Sequence, residues 1–340
     1  MKSLIKKTYI IAEVGPNHQG SLKLAFKYIK KLSRIGVDAV KFQIGIAEEH
    51  YSKDSFKPNY HKKNFKDDKE IISQAKKRLL QLKDHIKIYK ECRKYKIDYI
   101  CSAFDLKSLK FLYKYTKFPY FKIPSGEIQA LDTLSFIKSK KIPIILSTGM
   151  ASIQEINRTL NFLNYKKKKI TLLHCVSSYP TKLKDLNLNF MILLKKKFKL
   201  PVGISDHSKG YLAPIVAKSL GATIIEKHVT ISRKLVGPDH KASLTIGEFK
   251  QMINLVRTTE KILGQNKKII SIDEKSNLRA VRKSCVSALD ISKGEKITKR
   301  HIYFKRPGTG INPLDYKKFL NKRSKKFIEK DRILKFVDFK

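Results

Sequence analysis

The chain has 340 residues, 41% of them hydrophobic, enough to bury a large core and to build one large domain plus a small one. Its 74 basic and 29 acidic residues give a net charge of +45, but the lysines are scattered, with runs such as Lys166–Lys169 and Lys195–Lys197 far apart. That spread describes a solvated lysine surface with weak, non-specific RNA affinity at low salt, and excludes a gathered, specific nucleic-acid face.

No apolar run approaches the ~20 residues that cross a bilayer, and Glu13 interrupts the N-terminal apolar patch before a signal-peptide core is complete. The cysteines, Cys92, Cys101, Cys175 and Cys285, have neither metal nor disulfide spacing and point to a reducing cytoplasm.

In chain order, short apolar runs predict strands at Tyr9–Val14, Ala39–Gln43, Tyr99–Ser102, Tyr120–Ile123, Pro143–Ser147, Ile170–His174, Pro201–Ser205 and Ala222–His228. Helical patterns fall between them at Leu22–Arg34, Leu82–Tyr95, Ser108–Tyr115, Asp132–Ser139, Ile153–Asn164 and Tyr211–Leu220, and Ile246–Leu263 closes the series. Eight βα units in this length predict an α/β fold, a (β/α)8 TIM barrel over residues 1–265, with a doubly wound open sheet as the alternative. The connection from Ile44 to Lys83, about forty residues, is far longer than needed; it reads as a lid, as substrate wall, or as a surface insertion. Residues 266–281 look like a polar linker. From 282 to 340, short strands and the Gly turns at Ser292–Glu295 and Pro307–Gly310 predict a small β-rich domain.

In a barrel the strand ends converge on one pocket. They carry Glu13; Lys41 and Gln43 on one side of a strand; Lys122, Ser125 and Glu127; Ser147; Ser177 and Tyr179; Ser205 and His207; and His228. His207 and His228, at neighbouring strand ends with Asp239 and His240 following, form either a divalent-metal site or a pair of strand caps. Ser205-Asp206-His207 cannot be a hydrolase relay, because neighbouring side chains of an extended chain point apart. Two inward lysines among hydroxyls form a cradle for a small, highly anionic ligand such as a phosphorylated carboxylate.

IIAEVGPNHQG, AVKFQ, FKIPSGE, ILSTGM, LLHCVSSYPT, GISDH, IEKHVT, GPDHKASL and FKRPGTGI follow one another in order, and together they closely resemble the sialic acid synthase family. The resemblance implies a TIM barrel with a C-terminal antifreeze-like SAF domain over 282–340, working as a homodimer in which the SAF domain reaches the partner's active site. It implies condensation of phosphoenolpyruvate with an N-acylated mannosamine-type sugar and release of phosphate by C–O cleavage. His207 and His228 match the metal ligands, for manganese or else magnesium or cobalt. Lys41, Lys122, Ser125, Ser147 and Ser205 match residues that hold phosphoenolpyruvate. Ser177 stands where some relatives have Asn. Glu13, Gln43, Glu127, Tyr179, Asp239 and Arg306 match residues around the sugar, and Asn64 is aligned with an asparagine of the long second loop. Glu13 is the residue expected to handle the water proton, ionised among the metal and the lysines. The GPDHKAS and KIPSGE motifs look more like the neuraminate and legionaminate branches than the pseudaminate branch. A silent sugar- or nucleic-acid-binding protein on this scaffold is the non-enzymatic alternative.

Overall fold

The computed structural model of the protein describes residues 7–56 and 71–340. All eight expected strands are present: β1 Tyr9–Glu13, β2 Ala39–Ile44, β3 Asp98–Ala103, β4 Phe121–Ile123, β5 Ile144–Ser147, β6 Ile170–Cys175, β7 Val202–Asp206 and β8 Ile224–Thr230. They hydrogen-bond in the order β3-β2-β1-β8-β7-β6-β5-β4, every pairing parallel. This order is the sequence order written around a circle, and β3 and β4, the ends of the path, lie side by side. The result is a nearly closed TIM barrel. A doubly wound sheet would reverse its strand order at a switch point, and this one does not.

The strand period of two sorts the side chains. Outward residues such as Ile10, Val40, Phe42, Leu172 and Ile225 pack against the helices in the main core. Inward residues Ile11, Ala39, Ile100, Ile145, Leu173 and Ile224 form a separate apolar layer within the ring. One step towards the strand C-termini the inward residues turn polar, which sets the floor of a pocket on a packed hydrophobic base.

The helices start where local chemistry allows. Ser21, Asp105, Ser152 and Thr245 each accept a hydrogen bond from the first turn, and Ser152 and Thr245 complete capping boxes with Glu155 and Glu248. Two helices of eight or more residues in the barrel lie, among the described residues, where none was expected from the sequence. Asn189–Phe198 runs through the lysine run at 195–197 and buries Met191, Leu194 and Phe198 on its other side; Ile71–Arg78 lies inside the long second connection. Opposite the pocket, Glu260 of helix Ile246–Leu263 accepts from the backbone N–H of Thr8, and Arg257 bonds Thr8 O and Asp38. This ties the last helix to the first strand. Among the described residues no helix is long and apolar enough to cross a membrane.

The chain divides into two compact units, up to Gly264 and from Gln265 onward. The second begins with a correction to the sequence reading. The polar stretch 266–281 is not an extended tether throughout: Ser271 caps a helix over Ile272–Val281, and Arg279 O accepts from Gly308 N–H within the same unit. In the first unit a two-residue β9, Leu244–Thr245, runs parallel to the end of β8; the second unit pairs β10 Ser284–Ser287 antiparallel with β11 Ile302–Lys305. Its core gathers Cys285, Ile291, Ile297, Ile311, Phe319, Leu334 and Phe339.

Candidate active site

The polar layer above the apolar ring holds Glu13, Lys41, Ser102, Lys122, Ser147, Cys175, Ser205 and Glu226, all buried. Most of them open onto one cavity of about 1050 Å3 at the strand C-termini. Register brings them together: Glu13 is level with Lys41 on one side and His228 on the other, and Ser205 is level with Glu226.

Lys41 Nζ lies 2.8 Å from Glu13 Oε2 and 3.7 Å from Glu226 Oε1. Lys122 Nζ donates to Ser147 Oγ at 2.8 Å and stands 3.7 Å from the same Glu226 oxygen. Ser205 Oγ–H donates to Glu226 Oε1 at 3.1 Å, and Gln43 Nε2–H to Glu13 Oε1 at 2.8 Å.

Two ammonium groups and two carboxylates therefore alternate across the floor. Burial pushes Glu13 above the ordinary carboxylate range, with Lys41 pulling the other way. Desolvation thus opposes the cationic surroundings that were expected to keep this carboxylate ionised. Burial also raises Glu226, but Lys122 and Lys41 more than offset it and leave it below its usual value. Burial lowers Lys122; for Lys41 it acts in the same direction and is outweighed by Glu13 and Glu226.

A notch for a compact anion lies beside Lys122. Ser125 Oγ accepts from Gly149 N–H at 3.0 Å. A Cβ on Gly149 would sit 2.5 Å from Ser177 Oγ and 2.8 Å from Ser125 Oγ, so only glycine leaves this space open. Ser125, Ser147, Ser177 and Ser205 all line the cavity.

At the mouth, the rings of His207 and His228 are 5.5 Å apart, and Tyr179 lies 4.0 Å from the first and 5.9 Å from the second. His207 Nδ1–H donates to Val176 O at 2.9 Å, which leaves Nε2 as its available nitrogen. Burial lowers His207, and Cys175 with the Val176 carbonyl more than offsets it. His228 is held well below its ordinary value by burial and then by the charges of His207 and Lys41. Among the described residues its Nδ1 has no hydrogen-bond partner, and it stands 3.7 Å from Asp239 Oδ2. Burial raises Asp239 to about 6 and Glu127 to about 7. Among the described residues no three His, Cys, Asp or Glu side chains form a cation cage.

The structure thus brings together Glu13, Lys41, Gln43, Lys122, Ser125, Glu127, Ser147, Ser177, Tyr179, Ser205, His207, His228 and Asp239. Asn64 falls outside the described residues. Arg306 is exposed on the second unit, after β11. Asp206 turns away from the cavity into a buried pair with Lys227, as strand alternation requires, and His240 bonds Thr230. Glu226, one of the polar groups at the end of the eighth strand, was given no role from the sequence, although its spacing of two from His228 put it on the inner face. Arg78 and Lys182 also line the cavity from segments whose placement no pattern revealed.

The NeuB family model matches residues 28–268, and a SAF domain model matches 282–340. The chain is 40% identical to N,N'-diacetyllegionaminic acid synthase of Campylobacter jejuni, over 97% of this chain and 100% of that protein. It is 35% identical to a pseudaminic acid synthase of the same species, over 98% and 97%. The crystal structure of N-acetylneuraminic acid synthetase from Leptospira borgpetersenii superposes with a TM-score of 0.72 at 32% identity, covering 81% of this chain and 91% of that one. The chain belongs to the NeuB family, with a SAF domain at its C-terminal end.

Proposed function

We propose that the protein is a nonulosonic acid synthase that condenses phosphoenolpyruvate with the open-chain form of an N-acylated mannosamine-type sugar, most plausibly a 2,4-diacetamido-trideoxy sugar. The observation that carries this reading is the cavity floor: two buried lysines and a ring of hydroxyls around a Gly149 notch, facing Glu13 and two imidazoles. The 40% and 37% identity to two diacetyllegionaminic acid synthases supports the choice of sugar.

Lys41 and Lys122 offset the charges of phosphoenolpyruvate, while Ser125, Ser147, Ser177 and Ser205 donate to its oxygens. Gln43, Glu127, Tyr179 and Asp239 orient the sugar so that the enol carbon faces the aldehyde carbon, the two held at reacting distance. A carbon–carbon bond forms between them as the enol and aldehyde π bonds break, leaving the aldehyde oxygen as an alkoxide that takes up a proton and the former enol carbon electron-deficient. Water adds there and gives up a proton to Glu13, which passes it on to the oxygen that was the aldehyde's. The C–O bond to phosphate then breaks, and phosphate leaves.

His207 through Nε2, and His228, would hold a divalent ion, manganese before magnesium or cobalt. The unpartnered His228 Nδ1 and Asp239 Oδ1 fit such a donor set. When bound, that ion supplies Lewis acidity toward the aldehyde oxygen. The reading also takes the protein to be a cytoplasmic homodimer, with Arg306 serving the partner's site.

Phosphate release from phosphoenolpyruvate tests the proposal. Release should require an amino sugar, stop on chelation, resume with manganese, and be lost in His207→Ala and His228→Ala. Sugar-independent or absent release, with manganese present, would leave a silent binding protein.

A further inference from the structure

The reaction above uses the cavity floor and leaves part of its wall without a task. Ser125, Ser147, Ser177 and Lys122 come from β4, β5 and β6. Across the barrel, the loops after β1, β2 and β3 supply a different set: His18, Tyr51, Ile71, Ala75 and Phe104.

His18 is buried, yet lines the cavity. Its Nδ1 accepts from the backbone N–H of Gly20 at 3.1 Å. A backbone amide can only donate, so the ring proton sits on Nε2. Among the described residues Nε2 has no hydrogen-bond partner. The ring lies 6.0 Å from that of Phe42, an outward residue of β2, so His18 stands outside the inner ring of Glu13 and Lys41. Burial lowers its pKa to about 4, and the group is a neutral N–H donor at working pH.

A neutral donor suits a neutral oxygen, whereas an anion would be better met by an ammonium. Ile71 and Ala75, almost wholly buried on the helix Ile71–Arg78, line the same cavity. A donor beside an apolar surface is what an acylamide needs, with its oxygen on the one and its methyl on the other. The reacting carbon belongs over Glu13 and the histidines, so a group on this outer wall is remote from it.

We propose that His18, with the wall formed by Tyr51, Ile71, Ala75 and Phe104, reads an N-acyl group at the end of the sugar remote from the reacting carbon. His18 Nε2–H donates to the acyl oxygen, and the methyl packs on the wall. This rests on the synthase reading above. It makes His18 a specificity-determining residue that separates a diacylated, deoxygenated sugar from N-acetylmannosamine.

The test compares both sugars by phosphate release. His18→Phe keeps a ring and removes the donor. It should raise KM for the 2,4-diacetamido-trideoxy sugar roughly tenfold, with KM for phosphoenolpyruvate and for N-acetylmannosamine within about twofold. His18→Gln, which keeps a donor, should recover part of the loss. Ala75→Val should narrow selectivity in the same direction without touching the donor, and it decides the matter if His18→Phe does not fold. Equal changes for both sugars, or unchanged selectivity in His18→Phe or Ala75→Val, would overturn the subsite. If the wild type releases no phosphate with either sugar, the synthase reading fails. Calorimetric binding of the diacetamido sugar to wild type and the two variants then judges the subsite by itself, undiminished binding counting against it.

Discussion

At the scale of single residues, the floor of the cavity is an arrangement of opposed charges, each dependent on its neighbour. Lys122 reaches Ser147 at 2.8 Å and Glu226 at 3.7 Å. Lys122→Met should raise KM for phosphoenolpyruvate by one to two orders of magnitude, since a charge-assisted hydrogen bond is worth about 1.5–3 kcal/mol. Equilibrium unfolding distinguishes this from a structural role: a variant that unfolds easily but binds normally would make the lysine a fold residue. Glu127 gives a test in pH. Its pKa rises from 4.5 in the free side chain to about 7 in the fold, so the folded state holds the proton more tightly. Its contribution to stability is therefore full below about pH 4.5 and is lost as pH rises through 7, by up to about 3 kcal/mol. Glu127→Gln should flatten that slope and be the more stable protein at pH 8 in urea titrations. A slope unchanged by the substitution would assign it to other groups.

At the scale of elements, much was legible because barrel strands and amphipathic helices have distinct periods. Inward Lys41, Gln43, Lys122 and Ser147 could be sorted by alternation alone. Glu226 obeyed the same rule, but its neighbour Lys227 disguised it as one of a run of charged residues. The helix Asn189–Phe198 was hidden by Lys195–Lys197 on its solvent side, although Met191, Leu194 and Phe198 have helical spacing. The wall helix Ile71–Arg78 carries too few apolar residues for its period to stand out from its surroundings. The pairing of helix Ile246–Leu263 with β1 is also invisible in sequence, since Thr8 and Glu260 are 252 positions apart. Glu260→Ala would leave the buried Thr8 N–H without its acceptor and take one carboxylate partner each from Arg257 and Lys218. A loss of about 1–3 kcal/mol follows, lowering Tm by roughly 3–10 °C for a unit of this size. Calorimetry showing an unchanged Tm would mean that this tie is dispensable.

At the scale of the molecule, the helix Ile272–Val281 changes how far the segment between barrel and SAF domain can stretch. Helical residues advance about 1.5 Å each, against about 3.3 Å when extended. The free tether is thus much shorter than a linker spanning 266–281 would supply. The proposed action of Arg306 across a dimer is checked by mixing. Arg306→Ala and His207→Ala should each be nearly inactive, and co-expression should restore activity by pairing an intact histidine site with the other chain's arginine. Mixed dimers without recovered activity would place the arginine's work within its own chain or nowhere.

The alternation of Lys41 and Lys122 with Glu13 and Glu226 has a thermodynamic consequence. The surface carries a large excess of positive charge, but these four buried groups sum to none when all are ionised. An incoming phosphate and carboxylate must therefore draw their compensation from solvent, through protons captured as the ligand enters. Calorimetric heats of phosphoenolpyruvate binding should accordingly vary with the ionisation enthalpy of the buffer, the slope giving a net uptake of protons near neutral pH. Heats independent of the buffer would mean that the lysines meet the new charge unaided.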